Sequence, residues 1–500
     1  MEESNRLIKE ETSGYDADQL PEEDEEELEE KTIEEFLQHL GFGRAQWLLW
    51  GFFFLIPIAK ASQLYLVLIL IPYLRCEWAL GTGFEAAIGA SAHIARCLTG
   101  IPLGGLADKY GRKKVLVTAL FTFVLSGVGA AVAPGKWFFL AARILQGFAM
   151  GICSHIPFIY VAETASSEFK EFAVLSMAVS THFGCLFVSG LSFLLLNLVG
   201  WRNMMLIVTA PMFIIAVGLI FTPQTPRYAL VSGGRREAIA SLRTLYRLSG
   251  KLFPASYCLI ECRNVTIVTG KTKARGNLKS LFTQGFACVT ILLGCMNIGH
   301  NYLSAGFGAY LPLYKSSSAG ASSNVTGTTI RNVGLEGKEC GHSLDQAGLF
   351  EIAASFSGDI LGIVVTATIS RRLGRTLALR IWAFYNVLTA LPFFYKMDPG
   401  FEYVIVLSFK FFVSGFWYLL LLITVEVFPT TVRGTATSFI SALGDTGGIG
   451  ASLLVYSLYP ISPVLVVGLF VGATVTKLFA SLFWTKDSKD KDMADSFFEH

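Results

Sequence analysis

Apolar runs long enough to cross a membrane follow one another from Trp47 almost to the end of this 500-residue chain, parted by short polar turns. A crossing helix needs about 20 such residues. Read that way, the pattern predicts spans at 46–74, 83–107, 114–134, 137–161, 173–198 and 203–222, then at 285–312, 347–369, 376–395, 402–425, 435–458 and 462–484. The polar stretch 223–284 divides the twelve into two sets of six.

The two sets repeat one another. Gly104-Gly-Leu-Ala-Asp108-Lys-Tyr-Gly111-Arg112-Lys113-Lys114 is a basic turn between the second and third spans, and Arg371-Arg372-Leu373-Gly374-Arg375 is its counterpart between the eighth and ninth. Gly111 and Gly374 lie 263 residues apart (374 − 111 = 263). Glu163 with Lys170 and Glu426 with Arg433 share an internal spacing of seven and the same offset (426 − 163 = 263). Two landmarks on one offset indicate a duplicated six-helix unit. The predicted fold is an all-α membrane protein of twelve transmembrane helices in two pseudo-symmetric bundles. Its divisions are an acidic tail and short amphipathic helix at 1–45, a bundle at 46–222, a linker at 223–284, a second bundle at 285–485 and a tail at 486–500.

Composition agrees: 53% hydrophobic and 16% charged, against about 25% charged in soluble domains. The net charge of +2 conceals an uneven distribution, because residues 1–35 carry 16 acids and three bases. The bases elsewhere cluster between apolar runs, which speaks for membrane orientation and against nucleic-acid binding. The acid-rich start has no apolar signal segment and is too charged to fold alone, so it is expected to be a disordered cytoplasmic tail. Thr32-Ile-Glu-Glu-Phe-Leu-Gln-His-Leu then reads as an amphipathic helix on the membrane surface. Of nine cysteines none has metal-ligand spacing, and most sit in apolar runs as small buried hydrophobes. Cys76 and Cys340 are the two placed outside; compartment permits a disulfide between them, and sequence supplies no distance.

The loops placed inside contain Lys109, Arg112, Lys113 and Lys114, then Lys170, the basic 227–279 segment, Arg371, Arg372 and Arg375, Arg433, and Lys486, Lys489 and Lys491. This puts both termini in the cytoplasm. Asn324-Val-Thr326 falls in an outer loop as a glycosylation acceptor, whereas Asn264-Val-Thr266 is inside and expected to stay unmodified. Arg235 to Arg247 reads as a basic amphipathic helix that can lie on an anionic leaflet or serve as a plain connector, two roles that are compatible.

These landmarks resemble the major facilitator superfamily over 45–485. The turn from Gly104 through Asp108, Gly111, Arg112 and Lys113 is similar to the superfamily signature between its second and third helices, and Arg143, Gly147 and Gly151 to its fourth-helix signature. Pro223-Gln224-Thr225-Pro226-Arg227 and Glu426-Val-Phe428-Pro429-Thr430-Thr-Val-Arg433 resemble motifs of sugar porters, organic-ion transporters and synaptic vesicle 2-related proteins. Gly41-Phe42-Gly43, Cys76-Glu77-Trp78 and Gly200-Trp201-Arg202 follow the last of these branches. The chain departs from the pattern at Gln224, where glutamate is usual, at Arg371, where aspartate is usual, and at Ser166, in place of proline. The resemblance implies gating at the helix ends by Asp108, Gly111, Arg112, Lys113, Arg143, Glu163, Lys170, Gly374, Arg375, Glu426 and Arg433, through contacts that form and break. The alternative is that these charges only set topology.

Ionisable groups within a span cost roughly 2.5–3.5 kcal/mol each on insertion scales and call for a partner or a wet cavity. Lys60 in the first span has Gln63 one turn on, where the vesicle branch commonly has two acids, and Asp445 lies in the glycine-rich eleventh span. Resemblance to organic cation transporters gives Asp445 a cation-binding role. Lys60 and Asp445 are expected to face a central cavity and to pair when it is empty, unless Lys60 snorkels or forms a fixed pair. Asp359 joins them, with Asn297, Asn301, Trp417 and Tyr418 as further lining and His155, His182 and His300 as weaker candidates. Glu351 is expected at the interface.

The resulting expectation is a secondary transporter, and not an enzyme. It moves a small organic solute, an ion or zwitterion, by alternating access, possesses no cofactor or metal, and has a proton as optional coupling ion at Asp359 or Asp445. It acts as a monomer among membrane lipids, in the plasma membrane or a vesicle membrane. The alternative is a transporter-like vesicle protein with a regulatory or partner-binding role.

Overall fold

A computed structural model describes residues 29–41, 43–164, 167–254, 257–259, 281–282, 286–322, 346–395, 397–428 and 430–484. Its long helices follow the apolar runs closely. They are α2 (Arg44–Trp78), α3 (Thr82–Gly100) continued by α4 (Leu103–Tyr110), α5 (Arg112–Ala131), α6 (Lys136–Thr164) and α7 (Ser167–Ile220). After the linker come α9 (Ala287–Ser322), α10 (Gln346–Leu373), α11 (Arg375–Ala390), α12 (Pro399–Val427), α13 (Thr430–Leu458) and α14 (Pro463–Leu482), with α1 (Ile33–Leu40) and α8 (Pro226–Ser249) outside both sets. Nine of the described helices are long and apolar enough to cross a membrane. One of them, α7, breaks at Gly200 (φ 76°) and serves as the fifth and sixth passes. With α3 and α9 the twelve passes are complete.

The repeat holds to the residue in the backbone. Gly111 and Gly374, the paired glycines of the basic turns, both adopt positive φ, 90° and 86°. An L side chain is strained in that region, so glycine here is a requirement of the turn in each half. The helices that follow start at Arg112 and Arg375, then at Lys136 and Pro399, then at Ser167 and Thr430, each pair on the 263 offset.

Side chains facing outward are large and apolar: Leu125, Trp137, Leu198, Ile214, Phe221, Val464 and Phe479 are all exposed. A soluble domain does not leave such a surface wet. The chain is an integral multi-pass membrane protein. Its apolar core is divided unequally. One buried cluster, including Leu70, Leu74, Leu196, Leu313, Leu349 and Val455, runs across both halves at the end away from the basic turns. Toward the basic turns the clusters separate, one around Phe53, Leu116 and Leu219 and the other around Leu379, Ile423 and Val427.

Two expectations for the polar segments are corrected. The apolar face of α1 is not free for lipid: Ile33, Phe36, Leu37 and Leu40 are buried within the protein. Tyr246 of α8 donates its hydroxyl to the Phe36 carbonyl at 2.9 Å, and Lys251 donates to the Leu40 carbonyl at 2.8 Å. The apolar face of α8 itself (Ala238, Leu242, Leu245, Tyr246) is likewise buried, so it is a structural connector. Residues 29–35 of the tail expected to be disordered are structured, with β1 (Glu29–Lys31) pairing in parallel with β2 (Tyr257–Leu259), and 1–28 lie outside the described residues. A capping box starts α1, with the Thr32 backbone N–H donating to Glu35 at 2.6 Å. That hydrogen bond holds the Glu35 carboxyl below its usual range. Cys76 is disulfide-bonded, while Cys340 lies outside the described residues.

Candidate transport site

Asp445 is almost fully buried on α13, and its partner is not Lys60. Arg96 of α3 donates to its carboxylate at 3.0 Å, and the ring of His93, one turn earlier, lies 3.2 Å away. The glycines around Asp445 make room for this. A Cβ on Gly448 would come within 2.5 Å of the His93 ring, and one on Gly444 within 2.5 Å of Asn301. Small residues thus let α3 and α9 close on α13. Asn297 and Asn301 bond to each other at 2.8 Å beside Gly444. Lys60 donates to Ser154 of α6 at 3.2 Å, within electrostatic reach of Arg96 and Asp445. Its expected pairing with Asp445 is absent because Arg96 already occupies the carboxylate. Gln63 turns the other way, donating to the Met205 carbonyl at 3.1 Å and to Thr209.

Asp359 on α10 forms a second buried centre. Lys410 of α12 donates to it at 2.9 Å, and His182 of α7 approaches at 3.4 Å. Trp417 lies between histidines, edge-on to His182 with centroids 5.5 Å apart and stacked on His300 at 6.2 Å. Tyr418 is buried in the packing of α12 against Ile363 and Ala178.

The two centres are the same contact seen from opposite halves. Arg96 and Asp359 are 263 residues apart (359 − 96 = 263), as are His182 and Asp445 (445 − 182 = 263). Exchanging the halves therefore carries the Arg96–Asp445 contact onto the Asp359–His182 contact, with base and acid interchanged. Each contact joins a helix of one half to a helix of the other.

At the basic ends, Arg375 grips Glu426 through two nitrogens, the shortest contact being 2.7 Å. In the first half the Lys113 backbone N–H donates to Gln224 at 3.1 Å, and its ammonium donates to the Ile220 carbonyl at 2.7 Å. Gln224 thereby holds the turn as a neutral acceptor. Arg112 lies over the Tyr228 ring, 5.2 Å from its centroid. Arg143 is buried and donates to Gln146. The side chains of Asp108, Glu163, Lys170 and Arg433, and all of Asn324, lie outside the described residues.

At the opposite end, Arg75 holds Glu85, and Glu77 accepts from Arg202 at 2.7 Å and from the Trp201 indole at 2.5 Å. Lys315 bridges Glu402, at 2.8 Å, and Glu351. Sequence reasoning passed over Arg75, Glu85, Arg96, Lys410 and Lys477. The insertion cost that singled out Lys60 applies equally to the last three, and the 263 offset alone links Arg96 to Asp359. Among the described residues no group of His, Cys, Asp and Glu is arranged to hold a metal ion.

Comparison with known proteins decides the family, since the model of the Major Facilitator Superfamily matches residues 49–452. The chain belongs to that superfamily. It is similar to the synaptic vesicle 2-related protein of Rattus norvegicus, 24% identical over 467 residues covering 93% of this chain and 82% of the relative. It is also similar to organic cation/carnitine transporter 7 of Arabidopsis thaliana, 23% identical over 456 residues covering 85% and 88%. Among solved structures, the partially occluded inward-open conformation of the xylose transporter XylE from E. coli superposes with a TM-score of 0.67 at 16% identity, covering 89% of this chain and 99% of XylE. That likeness shows the fold. The protein is a secondary transporter of the superfamily, and not an enzyme.

Proposed function

We propose that the chain moves a small organic ion or zwitterion by alternating access, with the solute site between the two halves near Lys60, Asp445, Asp359, Asn297, Asn301 and Trp417. The observation carrying this reading is the repeat-related pair of contacts, Arg96–Asp445 and Asp359–His182. Buried charges at membrane depth that join two bundles must re-pair whenever the bundles rock, and a charged solute can take part in that exchange. The core supports an arrangement joined at one end and parting at the basic end, where Arg375–Glu426 and the Asp108–Lys113 turn act as inner gates with Arg143, Glu163, Lys170 and Arg433. The basic turns face the cytoplasm, and Asn324 faces outward. Where a proton is coupled, Asp359 and Asp445 are the carboxylates placed to carry it.

Purified protein in liposomes is expected to accumulate a labelled ion or zwitterion, with Asp445→Asn lowering the flux at least ten-fold. Absence of flux across a broad panel of ions, zwitterions, amines and sugars would overturn this reading. A regulatory or partner-binding membrane protein would then replace it.

A further inference from the structure

Every buried carboxylate among the described spans has a cation: Glu85 has Arg75, Asp445 has Arg96, Asp359 has Lys410, and Glu402 has Lys315. The reverse does not hold. Lys60 has only the Ser154 hydroxyl, Arg143 only the Gln146 amide, and Lys477 no hydrogen-bond acceptor at all. Among the described residues, three basic side chains in the interior therefore have no carboxylate partner.

Lys477 is the sharpest of them. It sits on α14 with no solvent exposure, its ammonium 4.0 Å from the centroid of the Phe416 ring. Its stem runs over Gly299, where a Cβ would lie 2.9 Å from the lysine Cγ. The next residue, His300, lies within electrostatic reach of Lys477, and its Nδ1 is also buried without a partner. A ring face compensates a desolvated ammonium only in part. A buried charge without a counter-charge is strongly unfavourable. An anion supplies what both groups lack, accepting from the ammonium and from the Nδ1–H tautomer of a neutral His300.

We infer that Lys477 and His300 form an anion-binding position, and that the transported solute is an organic anion. The anion bound there is the solute's carboxylate or a co-bound inorganic anion. The solute assignment rests on the transport reading above, whereas the site does not. Asp445 does not argue for a cation, because Arg96 already neutralises it.

The test is thermal unfolding of the full-length protein in detergent in a dilute zwitterionic buffer, with sodium benzoate, sodium chloride or tetraethylammonium chloride added, the last read against sodium chloride at equal concentration. Benzoate, chloride or both are expected to raise the midpoint, and Lys477→Gln to weaken the apparent affinity at least ten-fold. Lys477→Arg retains the response, and His300→Leu reduces it even where K477Q fails to fold. A benzoate response supports a carboxylate-bearing solute, whereas a response to chloride alone keeps the anion position and overturns the solute assignment. Stabilisation by tetraethylammonium alone, no response to either anion, or an anion response unchanged in both K477Q and H300L overturns the inference. Liposome flux separates the two claims: anion binding without flux leaves the site and removes transport, and flux of cations with no anion response does the opposite.

Discussion

Removing the charge of Asp445 tests how the halves are held together. Asp445→Asn preserves side-chain volume but leaves Arg96, whose side chain is 14% exposed, without its carboxylate at 3.0 Å. Among the described residues Arg96 is paired with no other acid, and its Nε is already unpartnered. Breaking a buried ion pair from one side costs about 3–5 kcal/mol, whereas replacing both members is close to neutral. Asp445→Asn is therefore expected to destabilise by about 3 kcal/mol, Arg96→Met by less because His93 stays 3.2 Å from Asp445, and the double variant by far less than their sum, a coupling of about 2 kcal/mol. The repeat-related contact behaves differently. His182→Gln leaves Asp359 still bound to Lys410 at 2.9 Å, so its cost stays below about 1 kcal/mol. Asp359→Asn strands Lys410 and falls in the range of about 3–5 kcal/mol. Equilibrium unfolding in mixed micelles with sodium dodecyl sulfate measures all of these. Additivity of R96M and D445N within about 0.5 kcal/mol refutes the assignment of Arg96 as the partner of Asp445.

Three further expectations follow from the packing and the termini. Gly184 and Gly447, again 263 apart, each press against a backbone carbonyl, of Ile58 and Ile298; Gly184→Leu and Gly447→Leu are each expected to abolish folded, monodisperse protein on size-exclusion chromatography, while Gly190→Leu, with open space around it, does not. Because the folded state depresses the Glu35 carboxyl, its contribution to α1 is complete above about pH 4.3, the unfolded value, and disappears as the pH falls through the folded value; amide exchange in 33–40 speeds up on that acid limb, and Glu35→Gln removes the pH dependence. Glycosidase digestion is expected to shift wild-type protein but not Asn324→Gln, with Asn264→Gln indistinguishable from wild type.

Much of the fold was legible because a bilayer imposes a length on every apolar run, and because duplication wrote each landmark twice. Gly111 and Gly374 could be paired from spacing alone, and their common positive φ gives the reason. The break between the fifth and sixth passes was legible as Gly200-Trp201-Arg202, although helix continues on either side of it. The partner of Asp445 was not legible. Lys60 stood out because its run is strongly apolar, whereas Arg96 lies in the small, less apolar α3, where a charge draws less notice. Only the crossing of α3 with α13, opened by Gly448, brings the guanidinium to the carboxylate. The surface position expected for α1 failed for a related reason, since an amphipathic face does not say whether lipid or α8 covers it.

The interchange of base and acid between the two inter-half contacts bears on assembly. If two first halves docked face to face, Arg96 of one would meet His182 of the other. Two second halves would set Asp359 against Asp445. Only the mixed arrangement offers opposite partners at both crossings, so each bundle carries a built-in preference for its unlike sibling over a copy of itself. Split at the linker and made as two polypeptides, the bundles are expected to co-purify as a one-to-one heteromer.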